Sequence, residues 1–131
     1  MMKIIHVAGK RKRAIARATL RPGTGLVRIN NTALHQYHPA LMRLKIEEPL
    51  LIADKLKDEV NIDVIVRGGG IGGQTEAARL AVARALAQYD KKLEKSFLSY
   101  DRHLLVADVR RKETRKPNDS KARAARQKSY R

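Results

Sequence analysis

The chain has 131 residues, with 29 Lys or Arg against 13 Asp or Glu and a formal net charge of +16. It contains no cysteine, which excludes a disulfide framework and a thiolate metal site. No apolar run approaches the ~18 residues of a membrane span, and the opening Met1-Met2-Lys3-Ile4-Ile5-His6-Val7-Ala8-Gly9 is too short for a signal peptide, so a soluble, intracellular protein is expected.

The charge is concentrated at the two ends. Residues 1–21 hold seven Lys or Arg and no acid, and residues 108–131 hold ten against three acids. The middle, 22–107, holds twelve against ten. A solvated surface usually mixes signs, so single-sign ends point to a polyanion partner, while the centre reads as an ordinary globular domain.

In chain order, Lys10-Arg11-Lys12-Arg13 leads into a stretch where Ala14, Ala16, Ala18 and Leu20 alternate with Arg13, Ile15, Arg17, Thr19 and Arg21. That period of two predicts a strand with one basic face. A helix would also align Arg13, Arg17 and Arg21, but the turn chemistry of Pro22-Gly23-Thr24-Gly25 and a second short run, Leu26-Val27-Arg28-Ile29, favour a β-hairpin. From Pro39 the pattern is helical through Leu41, Met42, Leu44 and Ile46, with Pro39 suited to a first turn. Pro49 is expected to break it, leaving a second short helix over 50–56. The β-branched run from Val60 to Val66 predicts a third strand.

Gly68-Gly69-Gly70-Ile71-Gly72-Gly73-Gln74-Thr75 follows that strand directly. A helix is expected over 75–89, with Ala78, Ala81, Val82, Ala85, Leu86 and Tyr89 on its apolar face and its alanines permitting close approach to a sheet. A short helix near 91–98 and a strand-like Leu104-Leu105-Val106-Ala107 complete the domain. Beyond Asp108 apolar periodicity is lost. This segment cannot bury enough apolar surface to offset its ordering entropy alone, and reads as an extended arm that orders on a partner.

The glycine segment nearly matches two nucleotide motifs. Gly68-x-Gly70-x-x-Gly73 fits the dinucleotide fingerprint, but no second strand ending in an acid follows about twenty residues on. The phosphate-loop pattern departs at Gln74, where the lysine that holds phosphate should stand. Glycines still let a backbone come close, and a helix N-terminus still offers N–H groups to an anion, so an RNA phosphate is a fitting ligand. A tight strand-to-helix turn with no ligand is the plainer alternative. His35 and His38 are three apart, but no acid or cysteine is spaced to complete a metal site, so neither metal nor cofactor is expected. Asp63 and Glu76 have no partner at a catalytic spacing, and Glu76 in the first helical turn suits the helix dipole.

Three segments together resemble the universal small-subunit ribosomal protein S-nine family. The first is Gly9-Lys10-Arg11-Lys12-Arg13-Ala14-Ile15-Ala16-Arg17-Ala18. The second runs from Gly68 through Gln74 to Ala78-Arg79 and Ala83-Arg84-Ala85-Leu86. The third runs from Asp108-Val109-Arg110-Arg111-Lys112-Glu113 to Lys121-Ala122-Arg123 and Gln127-Lys128-Ser129-Tyr130-Arg131. The resemblance spans almost the whole chain. Bacterial members typically end in Ser-Lys-Arg. Here Tyr130 replaces the penultimate lysine, and the ending is closer to the archaeal and eukaryotic branch.

The resemblance implies an α/β (α+β) fold: a small mixed sheet packed by helices, with a left-handed βαβ crossover as in ribosomal S-five domain-two-like folds, against the strong right-handed rule. It implies one domain over 1–107 and a long extended basic tail over 108–131. It implies a non-enzymatic, cytoplasmic protein in the head of the small ribosomal subunit, among neighbouring ribosomal proteins and bound to ribosomal RNA. On the resemblance, the tail reaches the anticodon stem-loop of peptidyl-site tRNA through Lys128, Ser129, Tyr130 and Arg131. Ribosomal RNA contacts fall on Lys10, Arg11, Lys12, Arg13 and Arg17; on Gly69, Gly70, Gly72, Gly73 and Gln74; on Arg79 and Arg84; and, in the tail, on Arg110, Arg111, Lys112, Arg115, Lys116, Lys121, Arg123 and Arg126. From Lys112 to Arg131 an extended chain reaches at most about 65–70 Å, enough to carry a terminal arginine from the periphery into a functional centre. Rival readings are a DNA-associated architectural protein and a small nucleotide-using enzyme.

Overall fold

A computed structural model of the protein describes residues 4–37, 39–54 and 56–107. The expected tail over 108–131, with all its candidate contacts, lies outside the described residues. Among the described residues the elements are β1 (Ile5–Arg11), β2 (Ala14–Pro22), β3 (Val27–Ile29), β4 (Thr32–Ala33), α1 (Ala40–Ile52), β5 (Val60–Arg67), α2 (Ile71–Tyr89) and α3 (Lys92–Tyr100), with 3-10 turns at Leu34–Gln36, Leu56–Asp58 and Arg102–Leu104.

The strands form one mixed sheet in the order β1-β2-β5-β3-β4. β3 and β5 run parallel, and the other pairs are antiparallel. A parallel neighbour needs a long crossover, and the connection from β3 to β5 carries α1. This is a mixed α/β fold.

β2 shows why the sheet forms. Ala14, Ala16, Ala18 and Leu20 are buried, while Arg17 and Arg21 are exposed, as the period of two predicts. Val60, Ile62, Val64 and Val66 bury the same face of β5. α2 lies on this face and buries Ala77, Ala78, Ala81, Val82, Ala85 and Leu86 among others. The small residues let helix and sheet approach closely. At Gly9 on β1 a Cβ would stand 2.4 Å from the Ala77 carbonyl oxygen and 2.8 Å from the Ala81 nitrogen, so only glycine fits. Phe97, Leu20, Ile62, Leu86 and Leu104 are fully buried in the same core, each contributing about 1.5–3 kcal/mol.

The structure corrects several expectations. β1 was not expected as a strand, yet it makes the true hairpin with β2 through Lys12 and Arg13. β2 and β3 are not hairpin partners, because β5 lies between them. The Asn61 side-chain oxygen accepts the Thr24 and Leu26 backbone N–H groups at 3.0 and 2.9 Å, laying the Pro-Gly loop across the start of β5. β3 turns instead into β4 through Asn30 and Asn31, both at positive φ, as a two-residue hairpin turn requires.

Pro49 does not break α1. It sits buried in the last turn, where its ring packs into the core and it lacks an N–H for the Lys45 carbonyl. Pro39 is the N-cap rather than the first helical residue, and Leu41 and Leu44 of the expected apolar face are exposed, while Ile46, Pro49 and Leu50 are buried. The apolar run at 104–107 is not a strand; Leu104 ends a 3-10 turn.

Candidate nucleic-acid interface

Two segments singled out in the sequence meet in space. The β1–β2 hairpin turns at Lys12, whose φ of 55° is the left-handed conformation that glycine usually occupies. β5 ends at Arg67, and Gly68 and Gly69 follow at φ 79° and 66°. A Cβ on Gly68 would lie 2.5 Å from the Arg13 carbonyl oxygen, and one on Gly69 would lie 3.1 Å from the Ala14 nitrogen. The glycine turn is therefore pressed against the hairpin tip: Gly68 is required by conformation and by space, and Gly69 is favoured by its positive φ in a tight fit.

α2 begins earlier than expected, at Ile71 with Gly70 as N-cap, so Gly72 and Gly73 belong to its first turn. No side chain caps this end. The first N–H groups of a helix have no intrahelical acceptor, and this first turn lies close to the hairpin: a Cβ on Gly73 would stand 3.5 Å from the Arg11 carbonyl oxygen and 3.6 Å from the Ala14 Cβ. Gly70 and Gly72 differ from their neighbours: neither has a positive φ, and a Cβ on either would meet nothing within 4 Å. Packing among the described residues does not account for them.

The other candidates divide sharply. Lys10, Lys12, Arg13 and Arg17 are exposed. Gln74 is turned inward, its side-chain amide donating to the Gly68 carbonyl at 3.1 Å, so it braces the turn where a phosphate loop would have its lysine. Arg11 pairs with Glu76 at 2.9 Å. Arg79, with only 13% of its side chain exposed, donates to the Glu48 carboxylate at 2.6 and 3.1 Å and to Asp101 at 3.2 Å. Arg84 donates to the Leu105 carbonyl at 3.0 Å and the Ala8 carbonyl at 2.8 Å. Arg79 thus ties α1 and the segment after α3 to α2, and Arg84 ties β1 to residue 105. Their guanidinium groups are engaged within the fold.

Asp101 is held below the usual carboxylate range, first by the backbone N–H of His103 and then by the Arg79 guanidinium, against an opposing push from burial. Sequence reasoning passed over Arg28 and Arg67, and left Arg21 as part of a basic face without assigning it. All three are exposed near Arg17, and the period of two already noted in β2 is the signal that marks Arg21. Among the described residues no three His, Cys, Asp or Glu side chains gather as a metal site, and no helix is long and apolar enough to cross a membrane.

Residues 9–131 match the family model described as Ribosomal protein S9/S16. The chain belongs to this family. It is 45% identical to proteins named small ribosomal subunit protein uS9 from three strains of Methanococcus maripaludis, over 99% of this chain and 100% of each relative. Membership in the S9/S16 family makes the chain a structural ribosomal protein rather than an enzyme, and turns the near-matches to nucleotide motifs around Gly68–Gly73 into a feature of a ribosomal fold.

Proposed function

We propose that the chain is an archaeal-type constituent of the small-subunit head in the cytoplasm, where its domain binds ribosomal RNA among neighbouring ribosomal proteins and its tail touches peptidyl-site tRNA. The observation that carries the reading is the meeting of the Lys12–Arg13 hairpin tip with the uncapped start of α2. Cations and helix N–H groups there share one approach, which suits a phosphate backbone. Gly70 and Gly72 leave that approach open.

On this reading Lys10, Lys12, Arg13, Arg17 and the glycine turn through Gly73 face ribosomal RNA, while Arg11, paired with Glu76 at 2.9 Å, braces the hairpin against α2. Arg79 and Arg84 are assigned to holding the domain together, since their donors already have acceptors. Residues 1–107 act as the folded domain, and the β3–α1–β5 connection takes the left-handed course of the family. Residues 108–131 act as the extended arm, with Arg110, Arg111, Lys112, Arg115, Lys116, Lys121, Arg123 and Arg126 on ribosomal RNA.

Lys128, Ser129, Tyr130 and Arg131 end the arm at the tRNA. Deleting residues 128–131 removes two of the arm's ten cations, so subunits assemble with the shortened protein at normal occupancy. Peptidyl-site tRNA then binds several-fold to about tenfold more weakly, since one exposed charge-assisted contact is worth less than about 1.5–3 kcal/mol. The measurement is tRNA affinity on purified subunits carrying the full or shortened chain. Equal affinities would remove the tRNA role, and failure to assemble would make the arm's end structural.

A further inference from the structure

Among the described residues the helices cover one face of the sheet and leave the other bare. On the bare face the strand register places Arg17 between Ala8 of β1 and Ile65 of β5, and Thr19 between His6 and Asp63, with Arg28 of β3 beyond. Arg21 stands opposite Asn61, and Arg67 opposite Ile15. Four arginines thus share a single-layer face with one acid, Asp63.

Their pairing sets them apart from Arg79 and Arg84. Arg17, Arg21 and Arg67 make no hydrogen bond or ion pair among the described residues. Arg28 approaches Asp63 only at 3.9 Å, with both side chains about half exposed, a contact worth little in water. Part of the face forms one shallow depression, floored by Ala8, Thr19 and the 54%-exposed Ile65 and rimmed by Arg17, Arg21 and Arg28. An antiparallel sheet can face water on one side, but such faces ordinarily carry both signs.

We infer that this uncovered sheet face is a second RNA-backbone surface, running from the hairpin end at Arg67 across Arg17 to Arg21 and Arg28. It rests on the ribosomal reading, continues outward from Arg17, and adds Arg21, Arg28 and Arg67, which the hairpin-tip reading does not include. Arg17 and Arg21 are four strand positions apart, about 13 Å, so together they span more than one phosphate step. The planar fork of arginine pairs with phosphate oxygens in bidentate fashion. Among the described residues no Phe, Tyr or Trp lines the depression, and its one ring, His6, is tied to the Thr19 hydroxyl at 3.0 Å, so recognition is mainly of backbone and shape, with Ala8 and Ile65 allowing close approach.

The test uses the full-length protein with Arg17, Arg21 and Arg28 all changed to Gln, beside the same three changed to Lys. Binding to protein-free small-subunit RNA is titrated over a salt series, and incorporation into reconstituted subunits is measured in parallel. The Gln variant should melt as the native chain does and bind RNA with a salt slope smaller by about 2–3, roughly one unit per lost phosphate contact. The Lys variant should keep most of the slope. An unchanged slope in the Gln variant overturns the surface while leaving the hairpin-tip reading intact. An unchanged slope with incorporation lost only when other ribosomal proteins are present overturns it in favour of an acidic protein partner. A native chain that neither binds the RNA nor enters subunits removes the ribosomal reading and this surface together.

Discussion

Arg17 and Arg79 carry the same guanidinium and meet opposite fates. Arg79 is almost enclosed, with Glu48 and Asp101 taking its donors. Arg17 stands on the bare sheet face with no partner among the described residues. In a chain of net charge +16, the number of cations says little about where a polyanion binds. What separates an interface arginine from a structural one is whether its donors are already satisfied.

The comparison predicts opposite orders of effect for stability and for RNA binding. The largest stability effect is expected from Arg79→Ala, which leaves two carboxylates facing each other without their cation. Hydrogen bonds to charged groups are worth about 1.5–3 kcal/mol, and the half-open setting of Glu48 and Asp101 argues for a loss of about 2 kcal/mol. Arg17→Ala should move stability by less than about 0.5 kcal/mol, as surface substitutions usually do. Denaturant unfolding of the two variants checks the pair, and equal losses would erase the distinction.

Asp101 sharpens it through pH. A carboxylate whose folded value is lowered stabilises the fold above its unfolded value, and that contribution disappears as pH falls through the folded value. Asp101→Asn should therefore be less stable than the native chain near neutrality, with the gap closing at acid pH below the usual carboxylate range. Arg79→Ala should shrink this dependence without removing it, because the His103 N–H, the leading cause, remains. Melting temperatures across an acid pH series provide the readout, and a gap that stays constant with pH would deny Asp101 its role.

One further stability effect has the opposite sign. Gly72 lies in the first turn of α2 with free space around it. Gly72→Ala should stabilise the isolated protein by up to about 0.5–1 kcal/mol by helix propensity. If RNA approaches this turn, the added methyl should weaken RNA binding at the same time. A gain in stability with unaltered RNA affinity would leave the turn without a ligand.

Much of the fold was legible because it follows from local periodicity. The alternation in β2 and β5 and the apolar face of α2 each placed buried residues on the correct side. Strand order was not legible. Pro22-Gly23-Thr24-Gly25 has the chemistry of a reversal, yet its path is set by Asn61, from a distant strand, and the pairing of β2 with β5 leaves no local trace. β1 offers only Ile5, Val7 and Gly9 on its inner face, too little apolar alternation to declare itself. At the site, the basic tip and the glycine turn were each readable, but their contact was not. Arg79 and Arg84 read as available because their acceptors lie 31 and 22 residues away for the first, and 21 and 76 for the second.

The position of β5 also governs how the sheet comes together during synthesis. Chains emerge N-terminus first, so β1 and β2 appear long before the strand that closes their second edge. A lone two-stranded hairpin is marginally stable, and its open edge is a template for pairing with other chains. Arg17 and Arg21, with Lys12 and Arg13 at the tip, load that unfinished ribbon with like charge. Two copies of it repel one another at the stage when mispairing is easiest. Completion waits on non-local pairing across α1, which is intrinsically slower than the local β1–β2 pairing and gives those charges an interval in which to act.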